Sequence, residues 1–205
     1  MLKLENFSIC LKEDKIVDLD MMILEAGKKI NLISDNNGGK SLILKAIHGD
    51  FKKFEGNILL TEKSSAFFKK RKKTILLEQF PYLLPGETVW DNITLPFIKL
   101  SNRQKDKIYE LTRIAGLKDK MKLKVKHLAY SSQKFIELIR AVIQLPYFIL
   151  LDDYDCYFDR LSMLKADTIC EYALNNGSSV LASSRTRLDN FDIYYKIHLK
   201  KLIKL

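Results

Sequence analysis

Gly38, Gly39, Lys40 and Ser41 stand in an order that can hold a phosphate. They follow an apolar run, Ile30-Asn31-Leu32-Ile33, and precede Leu42-Ile43-Leu44-Lys45-Ala46-Ile47. The stretch therefore reads as a buried strand, a glycine-containing turn and the first turns of a helix. At such a junction unpaired backbone N–H groups and the positive end of the helix dipole converge on an anion. A lysine placed like Lys40 reaches β- and γ-phosphate oxygens, and a hydroxyl placed like that of Ser41 ligates Mg²⁺. The whole turn, with Ser34, Asn36, Asn37 and Leu42, is the candidate cradle. The general pattern G-x-x-x-x-G-K-[ST] wants glycine at position 34, where this chain has Ser34. The bland alternative for Lys40 and Ser41 is an ordinary helix start.

A second set of candidates lies downstream. Tyr147-Phe148-Ile149-Leu150-Leu151 is a continuous apolar run that ends in Asp152 and Asp153. A buried strand that delivers an aspartate at its end can help hold Mg²⁺ beside a nucleotide. Asp153 comes next, where a base can orient or polarise an attacking water. The competing reading is a pair of aspartates capping a following helix. Gln79 follows another apolar run, Thr74-Ile75-Leu76-Leu77-Glu78, and opens a loop with Pro81, Pro85 and Gly86. His48, His127 and His198 show no partner spacing. Cys10, Cys156 and Cys170 are odd in number and widely spaced, which points to a reducing compartment and away from a disulfide framework.

These residues need elements to position them. Leu2 to Ile9, Ile16 to Leu24 and Lys29 to Ile33 read as strands, with a turn at Gly27. Residues 57–61, 74–78, 147–151 and 178–183 read as further strands, and Ile193 to Leu205 as two short ones. Helices are expected at 40–48, 101–118, 132–144 and 160–174. Ser101 is the expected N-cap of the second, with Ile108, Leu111, Ala115 and Leu117 on its apolar side. Phe135, Ile136, Ile139, Val142 and Ile143 form the apolar side of the third, and Pro146 stops it. Strands alternating with helices argue an α/β fold with a mostly parallel core sheet.

The chain has 205 residues, enough for one domain with a substantial core, or one domain with a small lobe. Its 47% hydrophobic and 29% charged residues are ordinary globular values. The first residues, Met1 to Asn6, carry acid early and lack an apolar stretch, so no signal peptide is expected. The apolar runs are too short to span a bilayer. A net charge of +10 suits a lysine-rich solvated surface, an anionic membrane face or nucleic acid. Lysines cluster at 69–73, 118–126 and 196–204, but no aromatic-interleaved basic motif of the RNA-binding type is present, so nucleic acid is not expected.

The run Leu83-Leu84-Pro85-x-x-Thr88-Val89-x-Asp91-Asn92-Ile93-x-Leu95-Pro96 is detailed and unusual. With the phosphate loop, Gln79 and Asp152 in that order, the chain resembles the nucleotide-binding subunit of an ABC transporter, within the group of FtsE, LolD and MacB. The resemblance implies an α/β P-loop NTPase of ABC ATPase type. That means a mostly parallel core sheet, an antiparallel β subdomain and a small helical subdomain. It implies one domain over 1–205, with a core at about 1–78 and 140–205 and a helical lobe at about 90–140. It implies ATP and Mg²⁺ as ligands, with Ser41, Gln79 and Asp152 at the metal. Gln79 is then the residue that touches Mg²⁺ and water and senses a membrane partner, and Asp159 crosses a dimer interface. The implied partners are an integral membrane permease-type subunit and a second ABC ATPase, identical or not. A groove along Phe80 to Phe97 would receive the permease at the cytoplasmic face of the plasma membrane.

The departures from the family pattern carry expectations too. Where the family has Leu-Ser-Gly-Gly-Gln, this chain has Leu128-Ala129-Tyr130-Ser131-Ser132-Gln133. In the family that signature closes over the γ-phosphate held by the other subunit. Ala129 lacks the serine hydroxyl, and Tyr130 and Ser131 obstruct the close approach that glycine permits. Asp153 stands where the catalytic glutamate is found, and one methylene fewer withdraws the carboxylate by roughly 1.5 Å. A misplacement of about 1 Å can cost on the order of 10²-fold in rate. Arg185 aligns with the histidine that contacts the γ-phosphate, and Leu11 with the aromatic that stacks on adenine. The expected activity is ATP binding with slow or impaired hydrolysis. The alternatives are an inactive scaffold that docks a membrane subunit, or a nucleic-acid-associated relative. An unrelated P-loop kinase is disfavoured by the Gln79 loop and the order of the later motifs.

Overall fold

The computed structural model describes residues 1–12, 14–35, 38–60 and 73–205. Asn36, Asn37 and most of the lysine cluster at 69–73 lie outside the described residues. Among the described residues nine strands form one sheet in the order β4-β1-β2-β9-β8-β3-β7-β6-β5. They are β1 (Leu2–Leu11), β2 (Asp14–Leu24), β3 (Lys29–Ile33), β4 (Glu55–Leu60), β5 (Thr74–Leu77), β6 (Phe148–Leu151), β7 (Ser179–Ser184), β8 (Ile193–His198) and β9 (Lys201–Lys204). β8, β3, β7, β6 and β5 pair in parallel, and β4-β1-β2 form an antiparallel arm. A single parallel pair, Asp18 with Lys201, joins that arm to the β8–β9 hairpin.

The α-helices among the described residues are α1 (Lys40–His48), α2 (Val89–Thr94), α3 (Asn102–Ile114), α4 (Tyr130–Val142) and α5 (Arg160–Asn175). Alternate residues of β6 face opposite sides of the sheet. Phe148 and Leu150 join one apolar cluster with Ile43, Leu44 and Ile47 of α1. Ile149 and Leu151 join another with Ile136 and Ile139 of α4 and Ile169 of α5. A parallel strand covered on both faces must be apolar throughout, which is why Phe148–Leu151 reads as an unbroken run. Truncating such a residue, Ile149→Ala for example, costs about 2–5 kcal/mol.

The expected α/β architecture with an antiparallel arm is therefore present. Ser101 caps α3 by accepting from the Gln104 N–H, in a reciprocal capping box. Each apolar residue expected on α4 is buried. The six-residue α2 falls inside the Leu83–Pro96 run. Thr88 and Asp91 form its capping box, and the buried Asn92 side chain bonds the Leu84 N–H (2.7 Å) and carbonyl (3.0 Å). The unusual spacing of that run thus closes a loop on itself. No helix among the described residues is long and apolar enough to cross a membrane.

Candidate functional site

The chemistry-bearing residues sit where the parallel strands end. β3 leads into Ser34 and the glycine turn, β5 into Glu78 and Gln79, β6 into Asp152 and Asp153, and β7 into Arg185. In open α/β sheets ligands bind outside these carboxyl ends. Leu11, Ile16, Gly38, Gly39, Lys40, Ser41, Leu42, Gln79, Asp153 and Arg185 line one open cleft of about 650 Å³. That size suits a small organic ligand. A smaller adjoining cavity of about 360 Å³ gathers Ser41, Gln79, Asp152 and Asp153 with Lys45, Glu78, Phe80 and Tyr82.

The glycines of the turn are sterically required. Gly39 caps α1 at φ 80°, and a Cβ there would lie 2.3 Å from Val17 Cγ2. A Cβ on Gly38 would lie 2.2 Å from Ser34 Oγ. At both glycines the backbone packs directly against the protein's own side chains, which only a residue without a Cβ permits. Lys40 is 6% exposed, and its Nζ donates to the Ser34 carbonyl (2.8 Å), Ser34 Oγ (3.2 Å) and the Asp35 carbonyl (3.2 Å). Among the described residues no carboxylate forms an ion pair with it. A buried ammonium held only by neutral oxygens has unspent attraction for an anion. Ser34 itself points into the loop, donating to the Asp35 carbonyl at 2.9 Å.

The Asp152 carboxylate and the Asp153 backbone are held from β7. Ser183 Oγ donates to Asp152 Oδ1 at 2.7 Å and accepts from the Asp153 N–H at 2.8 Å. Asp152 is buried and keeps its second oxygen for another partner. Asp153 adopts φ 48°, which turns the chain sharply after the strand. Burial, then the neighbouring Asp152 charge, push the Asp153 carboxyl above its ordinary 3.8, against the pull of Lys40. Mg²⁺ commonly takes one or two carboxylates plus waters and phosphate oxygens, so Asp152 with the Ser41 hydroxyl and the Gln79 amide fits it. No cluster of three or more His, Cys, Asp or Glu suited to a metal occurs among the described residues.

The remaining candidates fall as follows. Arg185 is exposed on the cleft wall, with its N–H donating to Asp155 Oδ2 at 2.9 Å. Leu11 and Ile16 supply an aliphatic wall of the cleft. Asp159 caps α5, accepting from the Ser162 N–H at 2.7 Å. Gln79 is exposed on its loop, and its carbonyl accepts from the Tyr130 hydroxyl.

Sequence reasoning missed a buried polar group behind that loop. Lys134 and Glu137 of α4, 2% and 3% exposed, pair at 2.7 Å. Lys134 Nζ also donates to the Glu78 carbonyl at 2.6 Å and lies 4.4 Å from the Tyr157 ring centroid. Glu137 Oε1 accepts from the Tyr82 N–H at 3.0 Å, and Arg140 donates to the Tyr82 carbonyl. Burial pulls the Lys134 amine down from its usual value, with Glu137 opposing. The Tyr157 hydroxyl is buried without a hydrogen-bond partner among the described residues. The i, i+3, i+6 spacing of Lys134, Glu137 and Arg140 was the available signal.

A sequence model of the ABC transporter family matches residues 18–154. The zinc import ATP-binding protein ZnuC of Wolbachia pipientis wMel is 28% identical over 153 residues, covering 75% of this chain and 60% of that protein. The methionine import ATP-binding protein MetN of Clostridioides difficile (strain 630) is 27% identical over 139 residues, covering 63% of this chain and 43% of that protein. The chain thus spans three fifths or less of the length of these two relatives. A solved structure described as the ATP binding subunit of an ABC transporter superposes with a TM-score of 0.83 at 17% identity, covering 100% of this chain and 89% of that one. Such a likeness speaks for the fold alone.

Proposed function

The chain belongs to the ABC transporter family, and on that premise we propose that it is the ATP-binding subunit of a membrane transport complex, with slow or impaired hydrolysis. Family membership implies ATP and Mg²⁺ as ligands. The observation that carries the reading is one cleft that joins a bare glycine turn, an ammonium without a carboxylate partner, Gln79 and Asp153. Lys40 would exchange its loop carbonyls for phosphate oxygens. Ser41, Gln79 and Asp152 would hold Mg²⁺, which would neutralise phosphate charge when bound. Asp153 would accept a proton from water. Its raised carboxyl favours that role, and its short side chain opposes it. Arg185 would contact the terminal phosphate as a cation.

The impaired turnover rests on Ala129, Tyr130 and Ser131 together with Asp153. In a homodimer both sites would carry every departure. Beside a competent relative, one site would hold this chain's Asp153 and the other its Tyr130 segment. Phe80, Tyr82, Leu84, Leu95 and Ile98 are exposed apolar side chains in and beyond the Gln79 loop. They form the surface proposed to receive a permease subunit at the inner membrane face. The Leu83–Pro96 run favours an FtsE- or LolD-like system. Steady-state ATP hydrolysis by the purified complex tests the proposal. Turnover far below 1 s⁻¹ is expected, against roughly 1–10³ s⁻¹ for ordinary enzymes. Ordinary turnover would refute the impairment.

A further inference from the structure

We propose that Lys134 is a positioning residue for Gln79, acting through the backbone of the loop that carries it; this rests on the Mg²⁺–ATP reading of the cleft. Gln79 is exposed and lies outside regular structure, so its own side chain cannot fix where its amide points. The main chain around it is fixed from α4. Lys134 holds the Glu78 carbonyl, Tyr130 holds the Gln79 carbonyl, and Glu137 and Arg140 hold the backbone N–H and carbonyl of Tyr82. Glu78 is anchored a second time, by its carboxylate to Lys45 of α1 at 2.5 Å. The loop thus spans from the phosphate-binding helix to α4, and Lys134 is the buried joint. It touches the loop, the Glu137 carboxylate and the Tyr157 ring at once.

The chemistry explains why a charge sits there. An apolar residue at 134 could fill the space but could not donate to a carbonyl. The lysine satisfies the Glu78 oxygen and orients Glu137, and Glu137 then receives the Tyr82 N–H. Two backbone groups on either side of Gln79 therefore depend on one ion pair. The pair is not needed for packing, since apolar side chains of similar volume commonly replace a buried pair without loss of stability. What they cannot replace is the direction in which Gln79 is held.

The test separates these roles. Lys134→Met alone leaves Glu137 buried beside no lysine and threatens the fold, so the informative protein is the double variant Lys134→Met/Glu137→Leu. ATP affinity is measured with Mg²⁺ and with EDTA, and thermal stability alongside. The expected result is a folded double variant whose Mg²⁺ enhancement of ATP affinity falls about 10-fold, as for lost outer-shell support of a metal site. ATP affinity in EDTA stays unchanged. Tyr130→Phe, at an exposed ring, gives a smaller loss in the same direction. A double variant that keeps the wild-type Mg²⁺ enhancement, whatever its stability, overturns the proposal while leaving the functional reading intact. A folded wild type without Mg²⁺-dependent ATP binding removes the functional reading and this proposal with it.

Discussion

Two buried lysines, Lys40 in the phosphate loop and Lys134 behind the Gln79 loop, are treated in opposite ways. Lys134 has a carboxylate at 2.7 Å, a carbonyl at 2.6 Å and an aromatic face. Lys40 has only neutral oxygens of its own loop, the nearest at 2.8 Å. The first ammonium is compensated inside the protein, so it serves to hold structure. The second has no hydrogen-bonded carboxylate, only the longer-range pull of Asp153 in the same cleft, so it keeps attraction for an added anion. Burial alone does not distinguish the two; the partner does. The comparison teaches that function here is read from which charges the fold leaves unanswered.

The largest effect that can break this contrast is thermal. Lys134→Met takes the 2.7 Å partner from the buried Glu137, which keeps only Arg140 at 4.0 Å and the Tyr82 N–H, and costs about 3 kcal/mol, a fall in Tm of roughly 10 °C for a chain of this size. Lys40→Met removes a buried charge that had no carboxylate, and Tm stays within about 2 °C. Differential scanning calorimetry of the two variants reads the difference, and equal falls would dissolve the distinction.

Asp153→Asn sharpens it at the cleft. The raised carboxyl of Asp153 means that the folded state favours its protonated form, so its stabilising influence is present below 3.8 and lost as pH rises through the raised folded value. At neutral pH the charged Asp153 therefore opposes folding. Asparagine also tolerates the φ of 48° found there. The variant gains about 1–3 °C in Tm at pH 7, no gain below the titration window, and loses hydrolysis. A gain that persists in acid would contradict the electrostatic cause.

Ser101→Ala gives the smallest effect and a control. It removes the α3 cap for about 1 kcal/mol, lowers Tm by about 2–4 °C, and leaves ATP affinity with and without Mg²⁺ untouched. A nucleotide effect from this remote cap would mean that affinity follows global stability rather than either lysine.

Much of the cleft was legible because its signals are local. Ile30–Ile33, the glycines and Lys40-Ser41 are contiguous, and Phe148–Leu151 is apolar throughout because both faces are covered. The Ser101 cap was readable for the same reason. The α2 helix was not, since six residues carry too little periodicity, although Thr88 and Asp91 spell a capping box. Lys134 and Glu137 were harder still. The i, i+3, i+6 charges of α4 mark a polar stripe but do not say that it is buried; the loop from Glu78 to Tyr82 must first fold onto it. Asp159, by contrast, is readable locally: it caps α5, a role its place before Arg160 already allows.

The most direct test of the account is calorimetric titration of ATP in Mg²⁺ into the wild-type chain and into Lys40→Ala. The account predicts saturable binding by the wild type and a loss of at least roughly 100-fold in the variant, the weight of about two charge-assisted bonds to phosphate. No binding by a folded wild-type protein, or equal binding by both, would contradict it.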